Sequence, residues 1–191
     1  MVRHAARALP WPLLAAAAVL LYGLLRTVQE WPYTVWPLQG LAVGLLAGMA
    51  AFAYDEPAAA VVDTLPRGLA WRTAARSLGV VLLLGWWLGV VALTRDAYFG
   101  HASAIAWQGV AATVSVVATT AHLRSRGAAG PATLVGTVVV GGAMFLALAR
   151  PFQNQLPIFP HPAAGHWSDS RTLWTGVFVA TTVWLVATLR R

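Results

Sequence analysis

Six stretches of 17 to 20 residues in this chain contain no Asp, Glu, Arg or His: 9–25, 35–54, 78–94, 102–121, 132–149 and 173–189. Backbone crossing a bilayer must satisfy its own polar groups, which leaves helices and closed barrels as the spanning structures. Barrel strands are segments of about ten residues alternating apolar and polar side chains, and these blocks do not alternate. A hydrocarbon core of about 30 Å takes roughly 20 apolar residues as a helix, with about 17–25 the usual range. The expected fold is an all-α integral membrane protein of six transmembrane helices, one transmembrane domain over residues 1–191.

Composition agrees. Of the 191 residues 59% are hydrophobic and 10% charged, with a mean hydropathy of +0.66, against about 25% charged in a soluble domain. The net charge of +7 comes from 13 basic residues, all arginine. They sit singly or in pairs at the ends of apolar blocks, not in the basic patch a nucleic-acid partner needs. No cysteine is present, which excludes disulfides, thiol catalysis and thiolate metal sites. The N-terminal run has the basic start of a signal sequence but no small-residue cleavage site after it, so an uncleaved first span is expected.

Cytoplasmic loops retain an excess of arginine. With the N-terminus inside, Arg3, Arg7, Arg67, Arg72, Arg76, Arg124, Arg126, Arg190 and Arg191 face the cytoplasm, against Arg26, Arg95, Arg150 and Arg171 outside. Nine against four predicts both termini in the cytoplasm of a multi-pass protein of the cell membrane. Trp11, Trp31, Trp36, Trp107, Trp167 and Trp174 lie near span boundaries, where an interfacial belt is expected. Two connections are long: a cytoplasmic insert at 55–77 and an external loop at 150–172.

The insert holds Asp55, Glu56 and Asp63, half of the chain's acids. Asp55 can cap a short helix with Pro57 in its first turn. Pro66 makes a corner at 64–66. From Arg67 the chain turns helical again, with Trp71, Ala74, Ala75 and Leu78 expected on one face and Arg72 and Arg76 on another. Two readings fit: a connector whose arginines hold it at anionic lipid, or a rigid knob offering Ala58, Ala59 and Ala60 between acids to a soluble partner.

The order of these parts resembles the six-span permease subunits of ATP-binding-cassette exporters, the type-2 exporter permease group. Asp55-Glu56-Pro57-Ala58-Ala59-Ala60 is similar to the start of their coupling region. The resemblance implies a coupling helix between spans two and three that docks on a nucleotide-binding ATPase subunit. Docking would involve Asp55, Glu56, Pro57, Ala58, Ala59, Asp63, Arg67, Arg72 and Arg76. It also implies a second permease subunit, the same or different, and cofactors (ATP and Mg) only in the ATPase partner. The family's amphipathic helix before span one has only residues 1–8 to form it here.

The spans fit a chain powered by another subunit. An ion-coupled carrier generally places an ionisable residue at membrane depth, and the six blocks have none. No GxxxxGK[ST] phosphate loop occurs, and no nucleophile–base pair is evident, so no enzyme activity is expected. Polar lining is expected from the amide of Gln108 and hydroxyls on spans four to six, among them Ser115 and Thr119. Such a lining suits lipid-like, peptide or drug-like cargo. Gly40, Gly44 and Gly48 make a bare helix strip for close packing, within one bundle or between subunits. In the external loop, aromatics and prolines make an interfacial anchor or a lid. His101, His161 and His166 with Asp169 have no distinctive metal spacing, and no metal is expected. The other functional class is a non-transporting accessory subunit of a larger membrane complex.

Overall fold

The computed structural model describes residues 9–54, 69–128, 130–149, 155–161 and 165–190. They form six long helices: α1 (Trp11–Glu30), α2 (Val35–Ala53), α3 (Leu69–Leu93), α4 (Ala102–Ser125), α5 (Ala132–Ala149) and α6 (Trp167–Leu189). All six are long and apolar enough to cross a membrane, and the described residues include no strand. The surface carries Val19, Leu93, Leu134, Val138, Phe145 and Val183, each at least 60% exposed. Such apolar cover is excessive for water and ordinary for lipid. The chain is a multi-pass helical membrane protein.

Helix ends depart from the apolar blocks where polar residues continue the helix. α3 begins nine residues before the third block, because Ala70–Ser77 is helical without being apolar. Its inward face there is Thr73, buried, with the Ser77 hydroxyl 3.0 Å from the Tyr54 hydroxyl; Ala74 is exposed. α6 starts at Trp167, so its first turn, with Ser168, Asp169 and Ser170, lies in what reads as external loop. Pro12 and Pro37 fall in first turns, where no helical N–H is lost.

Two helices form the centre. In α4 and α2, 67% and 61% of the apolar stretch is enclosed, against 6% in α6. α5 lies along α2, and α6 along α4. α1 and α3 pack on each other and on the far side of α2, with α3 also against α4. Successive helices run antiparallel, giving a terminal end, where α1 starts and α6 stops, and an opposite end carrying 31–34, 94–101, 155–161 and 165–166.

Tryptophan N–H groups tie helices together. Trp86 Nε1 donates to Ala18 O at 3.0 Å, Trp87 Nε1 to Ala106 O at 3.2 Å, Trp36 Nε1 to Ala147 O at 2.7 Å and Trp107 Nε1 to Thr175 Oγ1 at 3.0 Å. A lipid tail offers no acceptor, so an indole N–H in hydrocarbon is satisfied by protein. Trp36 and Trp107 thus bridge helices, whereas Trp31 is exposed as a belt residue would be. At the opposite end, Phe99 and Gly100 both have left-handed backbone (φ 51° and 85°). They turn the chain from a 3-10 turn at Arg95–Tyr98 into α4.

Candidate functional site

The α2–α5 contact is close because it is built on glycine. A Cβ placed on Gly40 would lie 2.3 Å from Ala147 Cβ, on Gly44 2.8 Å from Ala143 Cβ, and on Gly48 2.8 Å from Val140 Cγ2. The bare strip of α2 is covered by α5 of the same chain. α6 is fixed to α4 instead, through Trp107–Thr175, a Trp107–Phe178 ring contact with centroids 4.9 Å apart, and Arg171 Nη2 donating to Ser103 Oγ at 3.1 Å. α5 and α6 themselves hardly touch.

The space left between them is a half-open groove of about 620 Å³. Its floor is Val43 of α2 with Ala112 and Val116 of α4; Val138, Gly142 and Leu146 of α5 form one wall, and Leu173 and Val177 of α6 the other. Ser115 and Thr119 also line it, but each hydroxyl donates to its own helix, at Ala111 O and Ser115 O, both 2.8 Å. The lining therefore presents an apolar surface. Its size falls within the roughly 300–1,000 Å³ of small-molecule sites.

The 155–161 segment closes the groove at the opposite end. Ile158 and Phe159 both line it, and Phe159 is buried. One carbonyl anchors the segment: Ile158 O accepts from Trp174 Nε1 at 2.9 Å, Ser170 Oγ at 3.3 Å and Gln108 Nε2 at 3.4 Å. Of the aromatic loop residues expected at the membrane surface, Phe159 is turned into the bundle. Gln108 Nε2 also donates to Ser170 Oγ at 3.1 Å, and its Oε1 accepts from Gln39 Nε2. Gln39, Gln108 and Ser170 are each at most 2% exposed. Gln39 and Ser170 escape the sequence reading; the available signal was a lone amide inside the second apolar block.

At the same end, His101 stacks on Trp167, centroids 4.2 Å apart and 5° from parallel. Burial lowers the His101 pKa below its ordinary value, and the nearby Arg171 guanidinium acts in the same direction. His166 Nδ1 lies 3.3 Å from Asp169 Oδ2. Among the described residues no three His, Cys, Asp or Glu come together as metal ligands do.

Of the residues expected to dock a partner, Asp55, Glu56, Pro57, Ala58, Ala59, Asp63 and Arg67 lie outside the described residues. Arg72 and Arg76 stand on the first turns of α3, where Arg76 Nη1 donates to Ala53 O at 3.3 Å. This bond and Tyr54–Ser77 hold the end of α2 beside the start of α3. Comparison with protein families, curated proteins and solved structures finds no match for the chain, so its functional reading rests on its own residues.

Proposed function

We propose that this chain is the membrane permease subunit of an ATP-driven exporter of apolar cargo. The observation that carries the reading is the α5/α6 groove. It is an apolar, ligand-sized recess at membrane depth, between two helices held by different central helices, so it can widen without breaking either pair. The spans offer no ionisable group for ion coupling, and the chain has no phosphate loop, so the energy comes from a partner. The partner's place is the insert between α2 and α3. Its acids would meet basic residues of a nucleotide-binding subunit, and α3, continuous from Leu69 to Leu93, would carry movement at the insert into the bundle.

The test is a pull-down in mild detergent with mass spectrometry, wild type beside Asp55→Arg/Glu56→Arg. The expected result is an ATPase recovered with wild type and lost with the charge reversal, while membrane insertion is equal. No ATPase in either sample overturns the exporter reading and leaves an accessory subunit whose insert rides on lipid.

A further inference from the structure

The two ends of the bundle differ in charge. Among the described residues the opposite end carries three acids, Glu30, Asp96 and Asp169, and three arginines, each with a partner. Arg26 lies 3.7 Å from Glu30, Arg95 lies 3.6 Å from Asp96, and Arg171 donates to Ser103 Oγ at 3.1 Å. The terminal end carries Arg72, Arg76, Arg124, Arg126 and Arg190, with no acid among the described residues. The chain's other acids, Asp55, Glu56 and Asp63, lie outside them. Arg126 is exposed, and its guanidinium makes no hydrogen bond or ion pair among the described residues.

Arg126 also stands at the terminal end of the α5/α6 groove. Ala112, Val116, Thr119 and Leu123 line the groove along α4 at intervals of four, three and four. Arg126 follows three residues later, on the same helix face. Its backbone N–H still bonds to His122 O at 3.2 Å and Leu123 O at 3.1 Å, so the helical periodicity reaches it. A lipid headgroup lies beyond the hydrocarbon, so the residue that holds it stands past the apolar lining and open to solvent. Arg126, about 4.5 Å of helix rise past Leu123, does both. On the facing wall Leu134 lines the groove from the first turn of α5, where free N–H groups and the positive end of the helix dipole favour an anion.

The groove's length fits a hydrocarbon chain entering from that end. It follows α4 from Leu123 back to Ala112 and α5 from Leu134 to Leu146, about 16 and 18 Å at 1.5 Å per residue. That is roughly one leaflet of a core of about 30 Å. Ile158 and the buried Phe159 stop it at the far end, and no charged side chain lines it. A recess of one leaflet's depth, blind and apolar at one end and basic at the other, matches an acyl chain with an anionic headgroup.

We propose that the groove binds one acyl chain of an anionic phospholipid from the terminal-end leaflet, with the headgroup phosphate held by Arg126. Guanidinium–phosphate hydrogen bonds are charge-assisted and among the strong ones, and basic pockets between transmembrane helices hold anionic headgroups. The bound chain lies against Val116, Val138 and Leu146; the second chain stays in the bilayer, which the half-open side of the groove permits. This deepens the exporter reading and rests on it only for the statement that the lipid is cargo; the site itself stands on the groove and Arg126.

The experiment is native mass spectrometry of the purified full chain, titrated with dioleoyl phosphatidylglycerol and dioleoyl phosphatidylcholine, which share their chains and differ in net headgroup charge. Wild type is expected to retain the anionic lipid about tenfold more tightly, the order of one charge-assisted hydrogen bond. Arg126→Gln, at an exposed helix end, should bring the two lipids level. Gly142→Phe should weaken the anionic lipid at least about tenfold, because a Cβ at Gly142 meets nothing within 4 Å and the ring then occupies the groove. Equal retention of both lipids by wild type overturns the proposal. A full anionic preference in Arg126→Gln overturns it too, because another arginine then holds the headgroup. So does anionic lipid binding unchanged in Gly142→Phe, which places the chain elsewhere on the apolar surface. Each variant tests the site without the other. No ATPase is needed, so the expected lipid binding with no recoverable ATPase upholds the site while overturning the exporter reading.

Discussion

Trp87 is fully buried and fits because Gly109 faces it. A Cβ on Gly109 would lie 2.3 Å from Trp87 Nε1 and 2.5 Å from Cε2, with Leu46 Cδ2 at 2.9 Å. Overpacking of this kind typically costs about 1–3 kcal/mol. Gly109→Ala should lower the unfolding temperature in detergent, and Trp87→Phe in the same chain should recover part of the loss, a coupling that a double-mutant cycle reads directly. The opposite sign is expected at Thr113 and Thr120, whose buried hydroxyls have no partner among the described residues. Replacing an unsatisfied hydroxyl by a methyl of similar shape is neutral to stabilising, so Thr113→Val should raise stability by up to about 1 kcal/mol in thermal unfolding. His101 gives a pH dependence. Its folded pKa lies below the ordinary 6.5, from burial first and Arg171 second, so below that value the unfolded chain binds more protons at this site. Stability should fall as pH drops through 6.5 and below. The part of that fall due to His101 should vanish in His101→Phe, which keeps a ring on Trp167.

Among the elements, α2 and α5 are held by small residues, and the two kinds of glycine on them predict opposite outcomes. At Gly44 a Cβ would meet Ala143 Cβ at 2.8 Å and the Val140 backbone at 3.3 Å, so Gly44→Ala forces the helices apart and should cost about 1–3 kcal/mol. At Gly141, where a Cβ meets nothing within 4 Å, Gly141→Ala should gain up to about 1 kcal/mol from helix propensity. Thermal unfolding of both variants in one detergent checks the pair. The strip was legible because glycine at intervals of four is a pattern. So were the six apolar blocks, since the length needed to cross hydrocarbon is set by the bilayer. The first turn of α6 was not, because Ser168, Asp169 and Ser170 read as loop until the buried Ser170 is seen bonded to Ile158 O and Gln108. Nor was the buried polar cluster: Gln39, Gln108 and Ser170 come from three helices, and no local spacing brings them together.

For the whole molecule, the bundle divides between a unit of α2 with α5 and a unit of α4 with α6, and the groove is the seam between their outer helices. The two central helices also pack on each other, so any widening of the groove pivots on the α2–α4 contact, where the Gln39–Gln108 bond joins them. If cargo enters and leaves through this seam, tying α5 to α6 should stop transport without unfolding either unit. The chain contains no cysteine, so Val138→Cys with Val177→Cys, one on each wall of the groove, gives a clean pair for a flexible thiol cross-linker. After cross-linking, the complex with the proposed ATPase partner should keep its unfolding temperature. Its cargo-stimulated ATP hydrolysis should drop about tenfold, a rise of about 1.4 kcal/mol in the limiting barrier. Each single cysteine treated in the same way should keep full activity. Undiminished stimulation in the cross-linked pair would show that cargo does not pass between α5 and α6. The groove would then be a resident lipid site on a subunit that moves its cargo elsewhere or moves none.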